Sequence, residues 1–192
     1  MDTLVALDRS LFLLINGAHT AFLDSVFYWC SDKWIWAPFY ALLFFLVIRE
    51  FKGKSWIVLL GAVLLIALTD QLSVKLFKDV FMRLRPCHEP ALEGLVRTLY
   101  GQCGGKYGFV SSHAANTFGL AIFIGMLLQK SLKWLLPFMI VWAVMVSYSR
   151  IYLGVHYPGD IIVGAMLGAF IGYLIYRLVI VLMKKINQKA AQ

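Results

Sequence analysis

Residues 34–77 read WIWAPFYALLFFLVIREFKGKSWIVLLGAVLLIALTDQLSVKLF, and this stretch decides the fold class. It holds two apolar runs, 34–48 and 56–77, joined by a short segment that carries Arg49, Lys52 and Lys54. A hydrocarbon core takes about 20 mostly apolar residues per helix, fewer where flanking side chains reach the interface, so each run reads as a membrane span. The second acquires Asp70, Lys75 and Lys78 as it leaves the bilayer. Further spans follow near 113–129, 132–149 and 159–183, most of whose length carries no formal charge. The whole chain is 61% hydrophobic with a mean hydropathy of +0.77, too apolar for a soluble domain of its size. The expected fold is all-α: a polytopic transmembrane helical bundle of five or six spans, forming one domain over residues 1–192.

Residues 1–33 are less regular. Leu4, Leu7, Leu11, Leu14 and Ile15 recur at helical spacing, Asn16-Gly17 interrupts them, and the pattern resumes around Phe22, Val26 and Trp29. Asn16, His19 and Asp24 are costly in a single lipid-facing span, so interfacial or re-entrant helices fit best, with a sixth crossing over 11–30 as the alternative. Asp2 and Asp8 stand where a cleavable signal peptide carries basic residues, so insertion is expected to rely on the mature helices.

The formal net charge of +8 does not call for nucleic acid. Lys130, Lys133, Lys184, Lys185 and Lys189 flank apolar runs, where cytoplasmic segments collect basic residues and anionic headgroups attract them. Lys and Arg divide evenly between the two sides, so orientation rests on their concentration in the short segments at 49–55 and 129–133 and in the tail. That puts those segments in the cytoplasm and the 79–112 loop, with residues 150–158, outside it. Cys87 and Cys103 share the outer loop, where an oxidising compartment permits a disulfide; a bridge and two free thiols both fit the sequence. No CxxC spacing or His/Cys cluster suggests a metal. Gly164, Gly168 and Gly172 recur every fourth position of the last span, a spacing that lets helices approach closely within one chain or between two.

The chemistry-bearing residues gather at the outer face: Lys78 and Arg85-Pro86, then Ser111-Ser112-His113, then Ser149-Arg150, His156 and Asp160. A transferring phosphoryl group spreads negative charge over its equatorial oxygens and needs fixed cations and N–H donors around it. Lys78, Arg85 and Arg150 offer the cations, and Ser111 and Ser112 stand where a helix begins, with hydroxyls and backbone amides to offer an anion. An imidazole attacks phosphorus when a carboxylate holds its other nitrogen, a pairing that suits His156 and Asp160, with His113 as the proton donor. Taken singly, Lys78 reads as a snorkelling lysine, Arg85 and Arg150 as interfacial anchors, either histidine as structural and Asp160 as a helix-start residue. Jointly that reading weakens, because ionisable groups at a membrane face are costly unless used.

At these residues the chain resembles the type-2 phosphatidate phosphatase superfamily, histidine phosphatases that share their site with vanadium haloperoxidases. Lys78 to Arg85-Pro86 is similar to the first motif, Val110-Ser111-Ser112-His113 resembles the second, usually Pro-Ser-Gly-His, and Ser149-Arg150 with His156 and Asp160 is similar to the third. The resemblance implies a phosphohistidine at His156 supported by Asp160, proton donation by His113, and phosphate binding by Lys78, Arg85, Ser111, Ser112 and Arg150. It implies no metal or other cofactor. Val110 and Ser112 replace the usual proline and glycine, which puts the local backbone in question.

The expected function is an integral membrane lipid phosphatase of the bacterial cytoplasmic membrane, with its site on the extracytoplasmic side. The resemblance points to undecaprenyl diphosphate, because small bacterial members often recycle that carrier. Phosphatidylglycerophosphate, phosphatidate and lipid A phosphate are the alternatives, since the motifs read phosphate rather than the lipid behind it. A non-catalytic anion-binding or transport protein needs the same cations but not His113 together with the His156–Asp160 pair. The expected partners are a lipid phosphate and membrane lipids, without nucleic acid. Gly101, Gly104, Gly105, Lys106 and Gly108 lack the strand and the Lys-Ser/Thr pair of a P-loop, leaving a mobile lid or a plain connector. Arg97, Lys106 and His88 read as a solvated face or as headgroup contacts.

Overall fold

The computed structural model describes residues 2–101 and 103–190. Helices α1 (Asp2–Gly17) and α2 (Ala21–Ser31) are followed by α3 (Ala37–Phe51) and α4 (Ser55–Leu72). A π-helical turn, Ser73–Lys78, extends α4 into the short α5 (Asp79–Phe81). After a long loop come α6 (Ser112–Leu128), α7 (Leu135–Tyr152) and α8 (Pro158–Ala190). Among the described residues there is no named strand, and the expected all-helical membrane bundle is found.

The stretch 37–81 is helical almost throughout and apolar enough to cross a membrane, yet it crosses and returns. Trp36 and Phe39 stack on Trp142 of α7 at 5.7 and 5.1 Å, while Glu50 accepts from Ser131 Oγ at 2.5 Å beyond the other end of α7. The chain then turns at Lys52, whose φ of 49° breaks the helix, and Lys54 bonds Asn187 near the far end of α8. On the way back Thr69 Oγ1 donates to Asn116 at 2.5 Å and Ser73 meets Ser112 at 2.7 Å. α3 is therefore antiparallel to α7, and α4 to α6. The two polar ends of the bundle are separated by a band in which Phe45, Val63, Val141, Met166 and Phe170 stand exposed. Water does not tolerate so continuous an apolar belt, and lipid does.

α6 lies at the centre. Its 17 residues carry no charged side chain, and Phe123, Ile124 and Leu128 join Leu65, Met139 and Ile175 in the core. Its closest neighbour is α8, across the glycine stripe. A Cβ at Gly164 would lie 2.7 Å from the carbonyl oxygen of Ser111, and one at Gly168 would strike the backbone of Ala115. Gly172 stands in the same relation to Gly119. The stripe thus packs within the chain.

The N-terminal segment forms two helices at 115° to one another, with Thr20 capping the second by accepting from Leu23 N at 3.2 Å. α1 lies across the ends of α7 and α8: Asn16 Nδ2 donates to the carbonyl of Tyr152 at 2.8 Å, and Phe12 meets the Tyr157 ring at 5.4 Å. α2 packs against the same end of α7, with Phe27 against Tyr148 and Tyr152. The 79–112 loop is more ordered than its composition suggests. It holds several 3₁₀ turns, the Cys87–Cys103 disulfide, and a short ribbon in which Leu84 bridges Tyr107.

The glycine stripe yields a direct test. Gly168→Leu should force α6 and α8 apart and cost about 1–3 kcal/mol, as overpacking does elsewhere. A thermal unfolding midpoint in detergent that matches the parent would show that the helices do not depend on this contact.

Candidate active site

The three motif regions meet at one end of the bundle because α4 and α6, and α6 and α8, lie side by side. Each element brings its charged residue by a different device. The π turn has a wider i→i+5 period, which sets Ser73 and Lys78, five apart, on the same side of α4. Both reach Ser112: Ser73 Oγ is 2.7 Å from Ser112 Oγ, and Lys78 Nζ donates to it at 2.8 Å. Ser112 thus uses the side chain that the usual glycine lacks to tie α4 to the start of α6.

Ser111 is the N-cap of α6. Its hydroxyl accepts from Ala114 N at 3.4 Å, and its own amide donates to the carbonyl of Asp160 at 3.0 Å. The residue is fully buried, so it acts first as a joint between α6 and α8. The first amides of α6 point past it at the site, as at any helix start.

His156 lies in the turn between α7 and α8 and is 1% exposed. Arg85 Nη1 approaches its Nε2 at 2.9 Å, and Asp160 Oδ2 lies 3.3 Å from its Nδ1. A guanidinium has only donors, so Nε2 is the accepting nitrogen and Nδ1 carries the proton toward Asp160. Burial, reinforced by Arg85, Arg150 and Lys78, holds His156 well below the ordinary imidazole value, so the ring is neutral. Asp160 is fully buried and accepts from Tyr157 N at 3.0 Å and from Arg83 Nη1 at 2.8 Å. The arrangement leaves a neutral imidazole with one nitrogen anchored and a lone pair aimed among cations.

Arg85 is itself fixed. Nε donates to Gly105 O at 2.6 Å, and Nη1 also donates to Val155 O at 3.0 Å. Its burial lowers the guanidinium's affinity for its proton, and Asp160 opposes that shift. Arg150, in the last turn of α7, donates from Nη1 to Ser31 Oγ of α2, while its buried Nε has no partner among the described residues. Arg85, Arg150 and His113 line one cavity of about 480 Å³ with Ser31, Asp32, Lys33 and Gly104. The cluster of Lys78, Arg85, Arg150, Ser111, Ser112, His113, His156 and Asp160 is therefore gathered as the spacing predicts.

Some participants escaped the sequence. Arg83 contacts Asp160, and Ser31, Asp32 and Lys33 enter the cavity wall from the N-terminal segment. The glycine-rich loop does not behave as a mobile connector throughout: Gly108 passes so close to the site that a Cβ there would lie 3.1 Å from Arg85 Cγ and 3.2 Å from Asp160 Oδ2. A side chain there would require Arg85 or Asp160 to give way by a few tenths of an ångström. Arg97 is ion-paired with Asp24, and its backbone is held by Asn16. Cys87, His88 and Cys103 lie close enough together to hold a metal, but the two sulfurs are bonded to each other and offer no thiolate.

Residues 56–184 match the sequence profile of the PAP2 superfamily. The chain is 41% identical over 182 residues to a lipid A 4'-phosphatase of Porphyromonas gingivalis, covering 92% of this chain and 75% of that protein. It is 31% identical over 176 residues to an undecaprenyl-diphosphatase of Sulfolobus acidocaldarius, covering 88% and 77%. The crystal structure of Aquifex aeolicus LpxE superposes with a TM-score of 0.65 at 27% identity, over 89% of this chain and 95% of that one. With its motifs gathered at one end of an apolar helical bundle, the chain belongs to the PAP2 superfamily and is a membrane lipid phosphatase.

Proposed function

We propose that this phosphatase removes a phosphate from lipid A or a closely related glucosamine-based lipid, through a phosphohistidine at His156. The reading of the substrate is carried by the 41% identity to a lipid A 4'-phosphatase over nearly the whole chain. Undecaprenyl diphosphate, the lipid expected from sequence, is supported by a relative at 31% and stands second.

The chemistry is carried by the geometry of His156. A phosphate entering the pocket takes the N–H groups of Arg85, leaving Nε2 facing phosphorus. Lys78, Arg85, Arg150, Ser112 and the first amides of α6 surround its oxygens, with the buried Ser111 hydroxyl behind them. Nε2 bonds to phosphorus as the bond from phosphorus to the lipid oxygen breaks, and His113, which picks up a proton once the phosphate's negative charge has entered among the cations, gives that proton to the leaving oxygen. The imidazole gains positive charge, which Asp160 stabilises through Nδ1–H. His113, now a base, takes a proton from water, the hydroxide bonds to phosphorus, and the P–N bond breaks to release inorganic phosphate and free His156.

The site end of the bundle is assigned to the extracytoplasmic side. Two observations support this: the opposite end carries Arg49, Lys52, Lys54, Lys130, Lys133, Lys184 and Lys185, and the Cys87–Cys103 disulfide at the site end suits an oxidising compartment.

His156→Ala should lower phosphate release by at least about a thousandfold, as loss of a covalent nucleophile does. Rapid quench should trap an acid-labile phosphoryl group on the parent and none on the variant. Undiminished turnover by the variant would remove the nucleophile. Release by the parent should persist with a chelator present, because protein cations hold the phosphate.

A panel of lipid A, undecaprenyl diphosphate, phosphatidylglycerophosphate and phosphatidate should show lipid A favoured by at least about tenfold in kcat/KM, which is about 1.4 kcal/mol of discrimination. Mass spectrometry of the product reports which phosphate is lost. Preference for undecaprenyl diphosphate would replace this substrate without touching the chemistry.

A further inference from the structure

Asp160 is gripped on its far side by charges that are not among the motif residues singled out above. Arg83 Nη1 donates to Asp160 Oδ1 at 2.8 Å, and Arg83 Nη2 donates to Asp8 Oδ2 of α1 at 2.6 Å. Asp8 Oδ1 accepts from Gly159 N at 2.7 Å, so the same carboxylate pins the first turn of α8. The guanidinium lies over the Tyr157 ring, 4.1 Å from its centroid, and Phe12 packs edge-on against that ring. Side-chain exposure falls from 27% at Arg83 and 15% at Asp8 to none at Asp160, so the chain of charges leads inward to the nucleophile.

We propose that Arg83 and Asp8 are positioning residues for the phosphatase reaction: Arg83 fixes Oδ1 of Asp160 so that Oδ2 faces Nδ1 of His156, and Asp8 holds both Arg83 and the turn that carries them. Arg83 holds Oδ1 while the Tyr157 amide holds Oδ2, so rotation of the carboxylate is opposed at both oxygens, and the guanidinium keeps its aim because its other arm is tied to Asp8. Arg83 stands near Arg85 and would add another cation to a site already rich in them. Asp8 offsets that charge. The inference rests on His156 being the nucleophile.

A simple strut would hold the fold without influencing protonation of His156, and this separates the two roles. The charged and titratable groups around His156 are Lys78 from the π turn, Arg83 and Arg85 from the loop, His113 on α6, Arg150 on α7 and Asp160 on α8. Asp8 of α1 stands behind Arg83, and Arg9 and Glu89, paired at 3.5 Å, lie further out. Removing the Arg83 charge makes His156 easier to protonate, so the acid limb of kcat/KM moves to higher pH. Removing the Asp8 charge leaves Arg83 less neutralised and moves the limb the other way.

The experiment uses the full-length protein in detergent with lipid A, or with undecaprenyl diphosphate if lipid A is not turned over. Arg83→Gln should lower kcat by about 10- to 100-fold with KM within about threefold, and Arg83→Lys should restore part of the loss. Asp8→Asn should cost less and shift the acid limb oppositely; being isosteric, it carries the test if Arg83→Gln does not fold. His156→Ala runs alongside, and activity there would overturn the nucleophile itself. With His156→Ala inactive, parental rates in both other variants, or lost rate with unmoved acid limbs, would overturn the positioning role alone.

Discussion

Several side-chain cations share one small pocket at the edge of a membrane, and the rest of the molecule answers to that constraint. Lys78, Arg85 and Arg150 repel one another, and Arg85 and Arg150 are largely withdrawn from water. Such an arrangement is stable only if each cation is tied to fixed acceptors and if their combined field serves an anion. The ties are visible: Ser112 for Lys78, two backbone carbonyls and His156 Nε2 for Arg85, Ser31 for Arg150. Among the described residues, the buried Nε of Arg150 has no partner and is left free to donate to an anion. Burial, reinforced by the same surplus of positive charge, keeps His156 neutral and its lone pair available.

Close helix packing makes this convergence possible. Gly164, Gly168 and Gly172 let the backbone of α8 lie against α6, and that contact joins the second and third motifs through the Ser111 amide and the Asp160 carbonyl. The π turn supplies the first motif by turning Lys78 to the same face as Ser73. A wider separation of α6 and α8 would part Asp160 from Ser111 before it exposed any core. Packing and catalysis therefore rest on the same small residues.

The N-terminal helices and the outer loop close the site from above. Asn16 and Asp24 bind Arg97, Tyr152 hydroxyl donates to Asp24 at 2.7 Å, and Asp8 reaches Arg83 and Gly159. The disulfide holds the two ends of the loop near Arg85, where Gly104 and Gly105 meet its guanidinium. Polar residues that look awkward for a lipid-facing helix are those that make these ties. Their burial is compensated bond by bond, which is what a polar group in an apolar setting requires.

The sequence alone determined the membrane class, the long helices and the charged and histidine residues that gather at one end of the bundle. Hydropathy over 34–77 and the later runs is a local property, and Lys78, Arg85, His113, His156 and Asp160 stand at spacings that chemistry constrains. Tertiary structure alone decided the roles of Arg83, Asp8, Ser31 and Gly108, together with the pairing of Cys87 with Cys103. It also showed that 56–77 ends in a π turn, that α7 runs on to Tyr152 so that Arg150 lies within its last turn, and that α2 packs against that end of α7. Arg83 and Asp8 are 75 residues apart, and Asp8 lies 151 from Gly159. No periodicity links such positions, because an ion pair or a backbone bond across that distance exists only after the helices have packed.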